Sequence, residues 1–167
     1  MKGEAAAAAR YELLRSRRFP GGYGNRRRSC GHRAVVGVGG NLGEVPARFD
    51  RMVDYLRRSR RVRVLRTSVL LKNPPFGYLD QPDFINGIME LETDLSPHEL
   101  LRWLLWVERR FGRRRTFANA PRTLDLDIIF YDDLRVRSRR LRIPHPHFAT
   151  RPSVMVPLML MRGEGGA

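Results

Sequence analysis

Between Ala34 and Tyr131 the apolar residues switch repeatedly between a period of two and a period near 3.6, and few folds accept that order. AVVGVG, from Ala34, reads as a short buried strand. Val45 to Arg57 carries Phe49, Met52, Val53 and Leu56 at helical spacing, with Pro46 in the first turn, where proline is tolerated. Val62 to Leu71 is β-branched and extended, and its alternation slips near Leu65, as a bulge causes. Phe84 to Glu92 alternates, with Ile85, Met89 and Leu91 on one face and Phe84, Asn86 and Glu90 on the other. Ser96-Pro97-His98-Glu99 is a capping box, and the helix it opens buries Leu100, Leu104, Val107 and Phe111. A basic loop then leads into the strand TLDLDIIFY. The order predicts an α+β, ferredoxin-like β-α-β-β-α-β plait, with an antiparallel sheet and helices on one face. The other face is expected to stay open for ligands. The tail from Ile143 reads as a turn and an irregular C-terminal helix interrupted by Pro152.

The chain ahead of Ala34 has another character. An alanine run leads into RYELLRSRRF, and helix propensity predicts a helix over Ala5–Arg18. The Gly-rich stretch after Pro20 reads as a linker. Residues 1–33 are therefore set apart as a basic N-terminal appendage, packed on the main domain or mobile rather than a binding arm, and residues 34–167 as the domain itself. The appendage holds nine basic residues against two acidic ones.

The whole chain carries a formal charge of +15, and Lys2 and Lys72 are its only lysines. Arginine engages phosphate through a two-pronged fork and stays charged when buried. An anionic partner is implied: a nucleotide, a nucleic acid or a membrane surface. The plain alternative is a set of solvated arginine faces. The longest apolar run, VMVPLMLM, is far short of the roughly 20 residues of a membrane span and contains Pro157. The N-terminus lacks the apolar segment and cleavage pattern of a secretory signal. Cys30 is the sole cysteine, so no intramolecular disulfide can form, and a cytoplasmic setting is expected.

Asp125 and Asp127 stand two apart inside TLDLDIIFY. Strand geometry puts both on one face, roughly 6–7 Å apart, with Leu124, Leu126 and Ile128 turned toward the helices. Two such carboxylates raise each other's pKa unless a cation lies between them. Mg²⁺ suits the position, because it takes few protein carboxylates and completes its shell with water and phosphate oxygens. Alone, the pair is compatible with a solvated strand. The neighbouring Arg113, Arg114, Arg115 and Arg122 turn the set into the parts of phosphoryl transfer. Other motifs carry less. GVGGNLG misses the dinucleotide fingerprint because Leu42 holds its last position, and no lysine follows it as in a P-loop. His145 and His147 lack a third ligand nearby for zinc, and nothing supports a covalent nucleophile.

With these residues in place, the chain resembles the 6-hydroxymethyl-7,8-dihydropterin pyrophosphokinase family from about Ala34 to Leu160. GVGGNLGE, NPPFGYLDQPDFIN, ERRFGRRR, APRTLDLDII and IPHPHFATR carry the resemblance. The resemblance implies that ATP donates its β,γ-pyrophosphoryl unit to the pterin's hydroxymethyl oxygen and leaves as AMP. It implies two Mg²⁺ ions held by Asp125 and Asp127. Arg113, Arg115 and Arg122 match arginines around ATP and the transferred group. Glu108 matches a nucleotide-side residue, although an ion pair at the surface with Arg115 or Arg109 explains it equally well. His145 and Arg151 match ATP- and phosphate-facing side chains, Arg140 and Arg142 the purine side, and Ile128 the adenine pocket. Asn73, Pro74, Pro75 and Phe76 match the loop that reads the pterin edge. Phe84 matches the aromatic stacked on the ring, and Asn86 the side chain that hydrogen-bonds it; Asp125 also faces the pterin.

The chain departs from the family pattern in places. Gly39-Gly40-Asn41 replaces GSN, and Ala118-Asn119 replaces Arg-Trp before a GPR whose glycine is here Ala120. Ser153 stands where many members have phenylalanine, Pro146 where tyrosine is common, and Asn73 where threonine is frequent. These bear on pterin stacking and loop closure rather than on the acids. The expected partners are ATP and a pterin, with no nucleic acid and no membrane, and the expected state is a monomer. An RNA-binding plait is the rival class, but its aromatic strand signature is missing and acids occupy the exposed strand face. An inactive binding homologue is the other alternative.

Overall fold

The computed structural model describes residues 11–24 and 31–164. The elements in chain order are β1 (Glu12–Leu14), β2 (Gly21–Gly22), β3 (His32–Gly40), α1 (Val45–Arg58), β4 (Val62–Thr67), β5 (Leu70–Asn73), β6 (Phe84–Thr93), α2 (Pro97–Arg110), β7 (Asp125–Tyr131), β8 (Val136–Arg137), β9 (Arg142–Ile143), a 3₁₀ turn (Phe148–Thr150) and α3 (Pro152–Glu164). The ferredoxin-like α+β architecture expected from the periodicity is present. One antiparallel sheet runs β1-β5-β6-β3-β7, with β4 also on β6 and β2 on β4. The expected single strand Val62–Leu71 is divided: β4 and β5 pair successive stretches of β6. The bulge lies at Leu65, where the β4–β6 register shifts between Val64 and Arg66.

Both crossover helices cover one face. α1 buries Phe49, Met52, Val53 and Leu56, and α2 buries Leu100, Leu104 and Val107, against Val36, Val38, Met89, Leu91, Leu126 and Ile128 of the sheet. Helix α2 starts where its sequence says it should: Ser96 accepts the Glu99 N–H, and the Glu99 carboxylate accepts the Ser96 N–H.

The second face is less open than expected. Val35, Ile88 and Phe130 point there, and α3 lays Val154, Leu158 and Met161 over them. Three apolar side chains in a row need cover, and the apolar tail supplies it. Pro152 opens α3 rather than interrupting it, because a first-turn proline forfeits no helical hydrogen bond; Pro157 is the one inside.

The predicted N-terminal helix is absent where the structure can be described, from Tyr11 onward; residues 1–10 and Cys30 lie outside the described residues. Glu12–Leu14 instead pairs with Leu70–Lys72 as an edge strand. Phe19 is fully buried beside Phe49. The Asp50 carboxylate accepts from the Ser16 hydroxyl and the Arg18 N–H, and Asp54 pairs with both Arg17 and Arg18. Burial of Phe19 and the edge of β5 outweigh the few tenths of a kcal/mol per residue that propensity offers a helix. Gly21–Gly22, read as linker, pairs with β4.

Candidate active site

Strand parity assembles the site. Antiparallel partners share a face, and Gly39 pairs with Asn86 on one side and Asp125 on the other, while Gly37 pairs with Asp127. Asn73 pairs with Phe84. Phe84, Asn86, Asp125 and Asp127 therefore project from the face opposite α1 and α2, and all four line one cleft at the end of the sheet that α3 leaves open. The two glycines give the cleft its floor. A methyl group on Gly39 would lie 2.6 Å from Asn86 Oδ1, and one on Gly37 would lie 3.4 Å from Ile129 Cδ1. A flat ligand can rest on backbone there. This is the use of the glycine pattern that resembles no phosphate loop.

The acids have different surroundings. Asp125 is paired: Arg122 Nη1 is 3.1 Å from Oδ2 and Arg113 Nη1 is 3.4 Å from Oδ1. Asp127 has no hydrogen bond or ion pair among the described residues. Burial, and then the charge of Asp125, push its carboxyl up to about 7 against the pull of Arg151, Arg122 and Arg113. Among the described residues no third carboxylate, histidine or cysteine joins the pair. That donor set fits a hard divalent cation that brings water or ligand oxygens with it. An unpartnered carboxylate driven toward neutrality is what a dication would relieve.

Glu108 is not the surface residue that one reading allowed. It is 1% exposed, on the buried side of α2's last turn. Neither of its oxygens has a hydrogen-bond partner, and Arg115 and Arg113 stand 3.5 and 4.0 Å from Oε1. Burial and Asp125 push it up to about 7. Arg113 links Glu108 to Asp125 and also donates to the Leu124 carbonyl at 3.1 Å. Glu108, Arg113 and Arg115 shape a hollow beside the main cleft.

Arg122 is held by a residue that the sequence did not single out as functional. Asn41, at the end of β3, is 5% exposed. Its Oδ1 accepts the Arg122 N–H at 2.9 Å, and its own N–H donates to the Arg122 carbonyl at 2.9 Å. Its amide nitrogen donates to Gln81 Oε1 and the Pro82 carbonyl. Gln81 in turn donates to the Asn119 carbonyl at 2.9 Å, and Phe117 meets Tyr78 edge-on at 5.3 Å. The loop after β5 and the basic loop before β7 are thus clasped through Asn41. Asn119 takes φ 59°, a left-handed conformation that asparagine tolerates.

On the far wall, Asn86 Nδ2 donates to Asn73 Oδ1 at 2.6 Å. Pro74, Pro75 and Phe76 line the cleft beside them. The Phe84 ring is covered by the Arg122 guanidinium at 5.0 Å, so a ligand can stack there only after Arg122 turns away. Arg151 lies 5.7 Å over Phe76, at the opposite lip. His145 also lines the cleft and donates its N–H to the Ile129 carbonyl at 3.0 Å. Burial, Arg151 and His147 hold its imidazole below the usual range, which favours the neutral ring.

Three expected residues are placed elsewhere. Ile128 packs in the core under the helices at 4% exposure, and it is Ile129 that lines the cleft. Strand parity already groups Ile128 with Leu124 and Leu126, and Ile129 with Asp125 and Asp127; the β3–β7 register shift between Val35 and Val36 acts beyond them, turning Phe130 to the α3 face and Tyr131 into the core. Arg140 and Arg142 are exposed on the β8–β9 hairpin, with Arg142 opposite Arg137. Neither lines the cleft.

Fold and cleft together define a ferredoxin-like α+β protein whose sheet face sets paired carboxylates among arginines, next to a polar and aromatic wall. A sequence model of the family described as 7,8-dihydro-6-hydroxymethylpterin-pyrophosphokinase (HPPK) matches residues 35–162, and the chain belongs to that family. It is similar to the 2-amino-4-hydroxy-6-hydroxymethyldihydropteridine pyrophosphokinase of Helicobacter pylori, 38% identical over 90% of this chain and 93% of the relative. The protein of the same name from Synechocystis is 46% identical over 76% of this chain and 65% of the relative. A folate synthesis bifunctional protein of Pisum sativum is 37% identical over 77% of this chain, which corresponds to 25% of that longer protein. By this membership the chain is a pyrophosphokinase of folate synthesis acting on small molecules. No helix among the described residues is long and apolar enough to cross a membrane.

Proposed function

We propose that the chain transfers the β,γ-pyrophosphoryl group of ATP to the hydroxymethyl oxygen of 6-hydroxymethyl-7,8-dihydropterin, with two Mg²⁺ ions held by Asp125 and Asp127. The observation that carries the proposal is the contrast between those acids. One is neutralised by Arg113 and Arg122, and the other faces the cleft unpartnered with its carboxyl pushed up to about 7. When bound, the ions supply charge neutralisation at the polyphosphate and polarise the β-phosphorus.

The chain's own residues do the rest. Asn86 and Asn73 offer in-plane donors and acceptors to a polar heterocycle, and Gly37 and Gly39 let it lie close to the sheet. Arg122 leaves the face of Phe84 for the polyphosphate, which frees the ring for stacking. Arg113, Arg115 and Arg151 neutralise the transferred group, and Glu108 keeps Arg113 and Arg115 on station. The hydroxymethyl oxygen bonds to the β-phosphorus while the bond from that phosphorus to the α,β-bridging oxygen breaks. AMP leaves with the bridging oxygen, and the hydroxyl proton passes to solvent. No covalent enzyme intermediate is needed, so catalysis rests on position and charge.

The test is AMP formation from ATP. It should require both the pterin and Mg²⁺. ATP cleavage that proceeds at the same rate without pterin would refute the proposal.

A further inference from the structure

The cleft has a wall contributed by the segment outside the family's matched region. Tyr11 precedes residues 35–162, yet it lines the same cleft as Asn73, Phe84, Asn86 and Asp125. The register explains how. Glu12, Leu13 and Leu14 pair with Lys72, Leu71 and Leu70. One further step sets Tyr11 opposite Asn73, which itself pairs with Phe84. Partners across antiparallel strands share a face, so Tyr11, Asn73 and Phe84 form one row on the cleft side of the sheet. Leu14 packs toward the core beneath the helices, as that alternation requires.

Among the described residues Tyr11 has no structural task that uses its chemistry. Its ring is 46% exposed, and neither its hydroxyl nor its ring has a hydrogen bond or ring contact among the described residues. The strand behind it is secured by the burial of Phe19 and by Asp50 and Asp54. A phenol is therefore carried on an anchored strand to the mouth of a cleft, with its functional end unengaged. At α3's start the cleft is lined by Pro152, Ser153 and Val154, none of them aromatic. The cleft thus has room for a second aromatic side chain to meet a ligand that lies on Asn73 and Asn86.

We propose that Tyr11 is a substrate-binding residue that contacts the outer edge of the planar heterocycle, through its ring and by a hydrogen bond from its hydroxyl. This deepens the reading given under Proposed function and rests on it. It makes the N-terminal strand β1 part of the substrate site.

The test is equilibrium binding of 6-hydroxymethyl-7,8-dihydropterin to the full chain, with Mg²⁺ and a non-hydrolysable ATP analogue present. Tyr11→Ala should weaken the pterin Kd about tenfold, the size expected for losing one apolar contact and one hydrogen bond. Tyr11→Phe should recover part of that loss. The Kd of the ATP analogue and the melting temperature should stay at wild-type values, because Tyr11 is half-exposed at a strand end. Wild-type pterin affinity in Tyr11→Ala would overturn the proposal while leaving the pyrophosphokinase reading intact. Equal weakening for pterin and nucleotide together with a lowered melting temperature would also overturn it, in favour of a merely structural strand. A wild-type chain that binds no pterin would overturn the underlying reading and this proposal with it.

Discussion

Replacing Gly39 by alanine tests the cleft floor with a single methyl group. Gly39 does not use the left-handed backbone region, so alanine fits its conformation and the effect is confined to the side chain. The added Cβ would sit 2.6 Å from Asn86 Oδ1. That is well inside contact distance, so the Asn86 amide must swing aside. Doing so breaks its 2.6 Å hydrogen bond to Asn73, which is worth about 1 kcal/mol of stability. The pterin loses more. It loses the Asn86 contact and is lifted off the floor by the methyl, at a cost of about 2–3 kcal/mol, or roughly 30- to 150-fold in affinity. Steady-state kinetics with each substrate varied, together with thermal melts, will separate the terms. The pterin KM should rise by one to two orders of magnitude, with the ATP KM changed little and the melting point lowered only slightly. An unchanged pterin KM would refute the claim that Gly39 and Asn86 form the surface the pterin occupies.

Other consequences are open to measurement. Asn41→Ala should lower kcat at least tenfold and destabilise the fold by about 1–3 kcal/mol, because buried partners on Arg122, Gln81 and Pro82 lose their bonds; rates equal to wild type would remove its positioning role. Without divalent ions, stability should fall as pH rises from about 4 toward 7. Asp127 and Glu108 have folded pKa values raised to about 7, so their contribution is full below the unfolded carboxylate pKa and is lost through the folded one. Asp127→Asn or Glu108→Gln should flatten that slope in thermal melts, and an unaltered slope in both would contradict the assignment. Amides of residues 113–121 should exchange more slowly once an ATP analogue is bound, since that loop carries Arg113 and Arg115, which we propose meet the phosphates; identical exchange in both states would deny the loop a part in nucleotide binding.

Much of this arrangement was legible from period and parity. The alternation of Phe84–Glu92 puts Phe84 and Asn86 opposite Ile85 and Met89, and the structure has them so. The same rule turns Asp125 and Asp127 away from Leu124 and Leu126. The helix start at Ser96 and the bulge at Leu65 rest on local chemistry that the sequence carries in full. What escaped depends on contacts distant in the chain. RYELLR looks helical on propensity, but its strand exists only because β5 offers an edge and the Phe49 side of the core takes Phe19. Parity also fails across a bulge: beyond Ile129 the register shift turns Phe130 toward α3 and Tyr131 into the core, whereas Ile128 lies in the core as parity has it and only the resemblance set it in a pocket. Asn41 looked like one letter of a glycine loop, and its four hydrogen bonds join segments 40 and more residues away. The covering role of α3 was hidden because an apolar tail does not say which face it covers.

The central claim is that Asp125 and Asp127 hold the ions that bind the nucleotide's polyphosphate. Calorimetric titration of a non-hydrolysable ATP analogue into the chain, with Mg²⁺ and with chelator, tests it most directly when wild type is compared with Asp127→Ala. The account predicts tight binding for wild type with Mg²⁺, a loss of at least tenfold in chelator, and an Asp127→Ala protein that melts no lower than wild type yet shows the weak affinity whether or not Mg²⁺ is added. Equal Mg²⁺-dependent affinity in the two proteins would contradict it.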